Sequence, residues 1–160
     1  MADPQAIPET LADELVAARD EFRAMLATLD VPQLNARSLV GDWGVRELVA
    51  HLAYWAGHAA EAIHHAEQGR TAEFGEGELD VDERNAVVAR VARETDLATA
   101  SAREEAAFAA LLQRVRGMDP AWLDERVGYG DTLARVIRDD GAEHYREHAA
   151  ELGALRQAVP

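Results

Sequence analysis

Apolar residues recur every three and four positions along most of this chain, which is the pattern of amphipathic α-helices. Alternating apolar and polar runs bounded by turn residues, which would indicate β-strands, do not occur in the sequence. The pattern predicts four long helices, over residues 8–29, 42–68, 81–116 and 131–158. The apolar period of the third helix weakens between Thr95 and Ser101, so we expect a bend or a break there. The predicted fold class is all-α, with the architecture of a four-helix bundle.

The connections between these helices cover residues 30–44, 69–80 and 117–130 and are rich in glycine, proline and polar residues. Asp42 and Asp131 stand where the N-caps of the second and fourth helices are expected. The last connection holds Trp122 and has room for one short turn. Connections of this length exceed what a tight bundle needs, so they are predicted to be crossovers or functional loops at one end of it.

The amino-acid composition argues against several classes of function. The chain has 160 residues, which predicts one domain spanning 1–160. Thirty acidic residues face sixteen basic ones, all arginine, and the formal charge of −14 argues against nucleic acid or a membrane as partner. There is no cysteine, so any thiol chemistry needs a thiol that arrives as a ligand. Neither a leader segment nor an apolar span of about 20 residues is evident, and we predict a soluble, cytoplasmic protein.

The histidines supply the candidate chemistry. His144 and His148 lie on the apolar stripe of the fourth helix, about 6 Å apart along one face, where two imidazoles can bind one cation. His51 lies in the most apolar part of the second helix. His58 is about 10 Å from His51 along the same helix, too far to share a metal ion comfortably. Three imidazoles with open coordination positions are typical of catalytic metal centres.

Three other interpretations of these residues are less consistent with the sequence. A single histidine on an apolar face is usually a hydrogen-bonded core residue, but three buried neutral imidazoles without partners would leave several nitrogen atoms unsatisfied. Residues 144–148 match the H-x-x-E-H pattern of zinc peptidases, which need a further acidic ligand far downstream, and only twelve residues follow. Glu61-x-x-His64 has no second copy to complete a di-iron motif. The tryptophans Trp43, Trp55 and Trp122 are expected to be core anchors.

The segment GDWGVRELVAHLAYW, with HYREHAAEL about ninety positions later, resembles the DinB/YfiT-like superfamily of metal-dependent four-helix bundles. The likeness covers essentially the whole chain and is greatest to the branch that contains the N-terminal domain of mycothiol-dependent maleylpyruvate isomerases. It implies up-down-down-up connectivity and a divalent metal, often zinc or nickel, on His51, His144 and His148. It also implies a low-molecular-weight thiol such as mycothiol as co-substrate. Gly44 departs from the serine or threonine usual after the tryptophan, and the missing C-terminal domain argues against maleylpyruvate as substrate.

The resulting hypothesis is a metal-dependent thiol transferase or isomerase acting on a small electrophile. The metal would hold the thiol as thiolate at neutral pH. Arg46 or Arg146 could hold a substrate carboxylate, and Glu147 could support a ligating imidazole. The alternative is a non-catalytic or self-protection bundle that sequesters or hydrolyses a reactive small molecule. A homodimer is compatible with the sequence, although no exposed apolar stripe argues for it.

Overall fold

The computed structural model describes residues 6–157 and confirms the all-α four-helix bundle. No strand occurs within these residues, which contain two isolated β-bridges. The helices are α1 (Ala6–Leu26), α2 (Val31–Asn35), α3 (Val45–Glu67), α4 (Val81–Ala92), α5 (Leu97–Gly117), α6 (Leu133–Ile137) and α7 (His144–Gln157). Short 3₁₀ turns at Thr71–Glu73 and Pro120–Asp124 lie in the connections, and the second of them carries Trp122.

The bundle consists of α1, α3, α5 and the α6–α7 pair. Helix α3 packs mainly on α5, and α1 packs on α7 and α5. The apolar stripes read from the sequence form the core, in which Leu15, Phe22, Leu52, Ile63 and Leu111 are almost completely buried. None of the helices within residues 6–157 is both long enough and apolar enough to cross a membrane.

The first connection contains a helix that the sequence analysis missed. The chain leaves α1 at Leu26, three residues earlier than predicted, and enters α2 at Val31. Asp30 caps α2: its carboxylate accepts a hydrogen bond from Gln33 N at 2.8 Å, while Asp30 N donates to the Gln33 side chain at 2.9 Å. This reciprocal arrangement is a capping box. The spacing Asp-x-x-Gln was readable from the sequence.

Helix α3 begins at Val45 with Gly44, not Asp42, as its N-cap. A Cβ atom at position 44 would lie 2.5 Å from the carbonyl oxygen of Ala36, so the close approach of the preceding loop requires glycine. Glu47 replaces the capping side chain that glycine lacks, because its carboxylate accepts from Gly44 N at 3.2 Å. The departure from serine or threonine at this position therefore has a local steric cause.

The predicted third helix is two helices. The chain breaks at residues 93–96, which overlaps the start of the predicted range, and Asp96 starts α5 by accepting a hydrogen bond from Thr99 N at 2.7 Å. Helix α4 is thereby separate from α5 and packs against α3. This placement brings Arg84 and Asn85 of α4 to the wall of the cavity described below.

The fourth helix starts at Leu133 with Thr132 as N-cap, in place of the predicted Asp131. A π-helical segment at Arg138–Glu143 interrupts it, with a kink at Gly141 (φ −105°, ψ −107°). A Cβ at Gly141 would lie 3.1 Å from Leu15 Cδ1, so glycine lets this turn pack closely on α1. The kink gives α7 its own direction, starting at His144. The predicted end at residue 158 lies outside the described residues.

Candidate metal centre and its cavity

Three histidines that are distant in sequence meet at one end of the bundle. His51 comes from the second turn of α3, whereas His144 and His148 come from the first turns of α7. One ring nitrogen from each residue can be chosen such that all three lie within 4.8 Å of one another. His51 and His148 are buried and His144 is partly buried. These are the three residues that the sequence analysis proposed as metal ligands.

The ring nitrogens of this cluster that could bind a metal lack ordinary hydrogen-bond partners. His51 Nε2 and His144 Nε2 lie 2.6 Å apart, and His148 Nε2 and His51 Nδ1 are buried without a hydrogen bond. A buried nitrogen without a hydrogen-bond partner lowers the stability of a fold by about 1–3 kcal/mol. A bound ligand would compensate for this loss. Imidazole nitrogens are preferred ligands of zinc, nickel and other borderline divalent metals. The residues present therefore fit a divalent ion.

The environment keeps the imidazoles of His51 and His144 neutral, as metal ligation requires. Burial lowers the pKa of His51 to about 3, and the neighbouring His144 and His148 add to the effect. Burial likewise lowers the pKa of His144 to about 4, with a further contribution from His148. Because both rings are unprotonated at neutral pH, metal binding would not have to displace a proton from either.

Two further groups orient the rings on α7. Glu151 Oε2 lies 2.6 Å from His148 Nδ1, which leaves Nε2 directed at the cluster. The backbone of Asp139, in the π-helical segment, hydrogen-bonds the ring of His144. Such contacts fix ring orientation in metal sites and raise ligand basicity. The supporting carboxylate is therefore Glu151; Glu147, which the sequence analysis suggested, lines the cavity instead.

The cluster opens into a cavity of about 720 Å³ between α3, α4, the loop at residues 75–80 and the start of α7. Trp43 and Trp55, predicted as core anchors, both line it. Their rings lie beside His51, with centroid separations of 4.7 Å and 6.3 Å respectively. Trp55 is itself held in place by a hydrogen bond from Nε1 to Asn85 Oδ1 at 3.0 Å. Two aromatic rings therefore flank His51 at the wall of the cavity.

A fourth histidine belongs to the same cavity. His58 Nδ1 lies 2.6 Å from Asp140 Oδ2, and its Nε2 lies 3.2 Å from the Glu78 carboxylate and 3.0 Å from Arg84 Nη1. Burial alone would lower the pKa of His58, but its hydrogen bonds and charge interactions with Asp140 and Glu78 outweigh burial and raise it. Burial also raises the pKa of Asp140. The pair binds a proton more strongly than an isolated histidine would.

Sequence reasoning had separated His58 from the site because it lies two turns from His51. The signal that could have identified it is Asp140, which occupies an inward position on the stripe of the fourth helix, among the histidines. The arginines named from the sequence do not line the cavity: Arg46 donates to the carbonyl of Thr95 at 2.9 Å, and Arg146 is exposed. Arg84, on the short helix α4, is the arginine that does line it.

Fold and site together define a helical bundle with a buried three-histidine cluster at the base of an open cavity. The sequence matches the family described as mycothiol maleylpyruvate isomerase N-terminal domain over residues 15–157. The chain belongs to this family, which confirms the resemblance seen in the sequence. A search of curated proteins gave no match.

Solved structures show the same fold at low sequence identity. A mycothiol-dependent maleylpyruvate isomerase superposes with a TM-score of 0.74 at 20% identity, covering 96% of this chain and 64% of that chain. The colibactin self-resistance protein ClbS, solved in complex with a dsDNA, gives a TM-score of 0.72 at 18% identity and covers 96% and 97% of the two chains. An uncharacterised protein from Escherichia coli UTI89 gives 0.71 at 15% identity, covering 94% and 92%.

The prediction that nucleic acid is excluded as a partner is wrong. It rested on the net charge of −14, yet a bundle of the same fold has been solved with double-stranded DNA. The arrangement of charges on one face, which the total charge does not describe, decides whether phosphates can approach. Net charge alone was therefore an insufficient reason for the exclusion.

Proposed function

We propose that this protein is a divalent-metal-dependent enzyme whose co-substrate is a low-molecular-weight thiol of the mycothiol type. The enzyme either transfers this thiol to a small electrophile or uses it to isomerise the electrophile. The observation that carries the proposal is the convergence of His51, His144 and His148, with unpaired ring nitrogens, at the base of an open cavity. Family membership supports the thiol, and the absence of cysteine means that the thiol would have to come from outside the chain.

The roles of the residues follow from their positions. His51, His144 and His148 would hold zinc or nickel, and Glu151 would orient His148. The bound ion would supply Lewis acidity that lowers the pKa of a coordinated thiol, so that thiolate is present at neutral pH. Trp43 and Trp55 exclude water from one side of the cluster. His58, oriented by Asp140, would accept or return a proton at Nε2 when a ligand displaces the contacts of that nitrogen with Arg84 and Glu78.

Metal analysis tests the ligand assignment. Protein purified without a chelating tag is expected to contain about one zinc or nickel ion per chain, and His51→Ala is expected to lose it. His65→Ala is the matched control, since His65 is on the same helix and bonds the carbonyl of Glu61 at 3.0 Å, away from the cluster. Equal metal content in wild type and His51→Ala would exclude the proposed ligand set.

Cobalt substitution tests the thiol. When mycothiol is added to the cobalt-loaded protein, the d–d bands are expected to shift and a thiolate-to-cobalt charge-transfer band is expected to appear. A spectrum that does not change at saturating thiol would remove the transferase or isomerase proposal, even with the metal site intact.

The second candidate is thiol-independent protection against a reactive small molecule, by hydrolysis or sequestration. The His58–Asp140 pair favours it, because an imidazole held by a buried carboxylate can act as a base toward water without a thiol. Thiol dependence of the cobalt spectrum separates the two candidates. A single domain over 1–160, a homodimer and a cytoplasmic location stay predictions.

A further inference from the structure

The charged groups that line the cavity are mostly acidic. Among the lining residues that the structure describes there are six carboxylates, one guanidinium, that of Arg84, and the imidazole of His58, whose pKa is raised by its contacts with Asp140 and Glu78. The carboxylates are those of Glu78, Asp80, Asp131, Asp139, Asp140 and Glu147. A cavity with walls of one sign concentrates ligands of the opposite sign and repels those of the same sign.

The one guanidinium is not available to an anionic ligand. Arg84 Nη1 lies 2.8 Å from Glu78 Oε2, and its guanidinium carbon stands 4.7 Å above the ring of Trp55. An anion would have to displace both contacts. Two of the carboxylates, by contrast, stand on the loops at the mouth of the cavity: Asp80 caps α4, and Asp131 precedes the cap of α6. Both can contribute to the potential met by an entering ligand.

Tyr129 at the cavity wall responds to this potential. Burial raises the pKa of its hydroxyl, and the charges of Asp140, Glu78 and Asp131 raise it further. Carboxylates from three separate segments therefore act at one point of the wall. The exposed aromatic ring of Tyr129 also offers a face to an organic cation, which aromatic rings attract.

The cavity thus has two chemically different ends. At its base is the histidine cluster, in which Nε2 of His51 and Nε2 of His144 lie 2.6 Å apart and Nε2 of His148 is buried without a hydrogen bond. At its mouth are Asp80, Asp131 and Tyr129. Resting on the proposed function, we propose that this site selects ligands whose metal-binding end is a thiol and whose other end is a cationic or neutral group such as an organic ammonium. Small dicarboxylates are rejected at the mouth.

Three small thiols that differ mainly in charge test this selection on the cobalt-loaded protein. The probes are cysteamine (cationic), 2-mercaptoethanol (neutral) and 3-mercaptopropionate (anionic). The intensity of the sulfur-to-cobalt charge-transfer band gives the dissociation constant, expressed per thiolate so that the different acidities of the thiols cancel. We expect the order cysteamine, 2-mercaptoethanol, 3-mercaptopropionate from tightest to weakest, with about a tenfold span.

A double variant, Asp80→Asn with Asp131→Asn, removes two carboxylates at the mouth and keeps a good capping residue at position 80. The matched control is Asp13→Asn with Asp20→Asn, which makes the same change in net charge on the exposed face of α1. The ratio between the dissociation constants of 3-mercaptopropionate and cysteamine is expected to fall by about threefold in the first variant and to stay unchanged in the second.

The outcomes separate the two proposals. An order that is flat or reversed, or a span that shrinks equally in both double variants, overturns the charge selection and leaves the thiol proposal standing. A cobalt site that gives no charge-transfer band with any thiol overturns the proposed function, and the selection falls with it.

Discussion

Glu151 Oε2 lies 2.6 Å from His148 Nδ1, one helical turn along α7, while the other nitrogen of the same ring faces the histidine cluster without a hydrogen bond. The carboxylate thus fixes both the orientation of the ring and the nitrogen that is free to bind a metal. The two residues act as a unit in the candidate site.

The first prediction follows from this contact. Glu151→Gln is expected to weaken zinc or nickel affinity by about 10–100-fold, because an amide holds the imidazole less strongly and does not raise its basicity. Competition with a chromophoric chelator measures the affinity. Glu143→Gln, an exposed position at the end of the π-helical segment, is the control and should leave affinity unchanged. Equal effects of the two variants would show that Glu151 has no special role.

The second prediction concerns His58. Asp140→Asn is expected to lower the pKa of His58, because it removes the charge that stabilises the imidazolium at a distance of 2.6 Å. The ¹H–¹³C resonances of the imidazole, followed through a pH titration, report this value directly. Asp139→Asn is the matched control, since the Asp139 carboxylate lies 3.1 Å from Arg135 instead. A His58 titration that is identical in wild type and Asp140→Asn would exclude the pair as a proton-transfer element.

The third prediction is that the free energy of unfolding of the metal-free protein depends on pH. Folding lowers the pKa of His51 to about 3 and of His144 to about 4, from 6.5. The unfolded chain therefore binds more protons than the folded chain between pH 4 and 6.5, and stability falls as the pH falls through this window. Each histidine contributes a slope of at most about 1.4 kcal/mol per pH unit.

Urea unfolding at pH 5 and pH 7 in the presence of a chelator measures this slope. The double variant His51→Gln with His144→Gln is expected to lose less stability than wild type over the same interval. The raised pKa of His58 acts in the opposite direction, with stability lost as the pH rises, but it is common to both proteins and cancels in the comparison. Parallel losses in the two proteins would mean that the imidazoles are not held neutral by the fold.

Features of the structure that depend on long periodic patterns could be predicted from the sequence, whereas features that depend on short segments could not. Long apolar stripes determined the bundle, and the phase of His51, His144 and His148 on those stripes was sufficient to bring them together. Helix α2 was missed because five residues are too few for a periodic pattern, although its capping box was readable.

The cavity wall was harder to predict. Its position depends on the break at residues 93–96, which makes α4 a separate helix, and on the kink at Gly141, which redirects α7. The break was predicted from the weakened apolar period, whereas the kink, which packs on Leu15 of α1, is a tertiary feature. Three-and-four spacing placed Asp140 on the inward stripe of the fourth helix, but His58 is on α3, and spacing along one helix does not show which residues of two helices meet. The net charge was likewise insufficient to exclude nucleic acid as a partner, because it does not show which charged side chains lie on the same surface.

The last prediction tests whether the kink positions the cluster. At Gly141, a Cβ would lie 3.1 Å from Cδ1 of the buried Leu15. Gly141→Ala is expected to destabilise the fold by about 1–3 kcal/mol through this overpacking and to weaken metal binding, since His144 starts the helix that follows. Gly57→Ala is the matched control: that glycine is inside α3 with nothing within 4 Å of its Cβ position, so alanine should stabilise by about 0.5–1 kcal/mol. Urea unfolding and chelator competition on both variants give the two quantities. If Gly141→Ala were as stable and bound metal as tightly as Gly57→Ala, the kink would have no part in building the site.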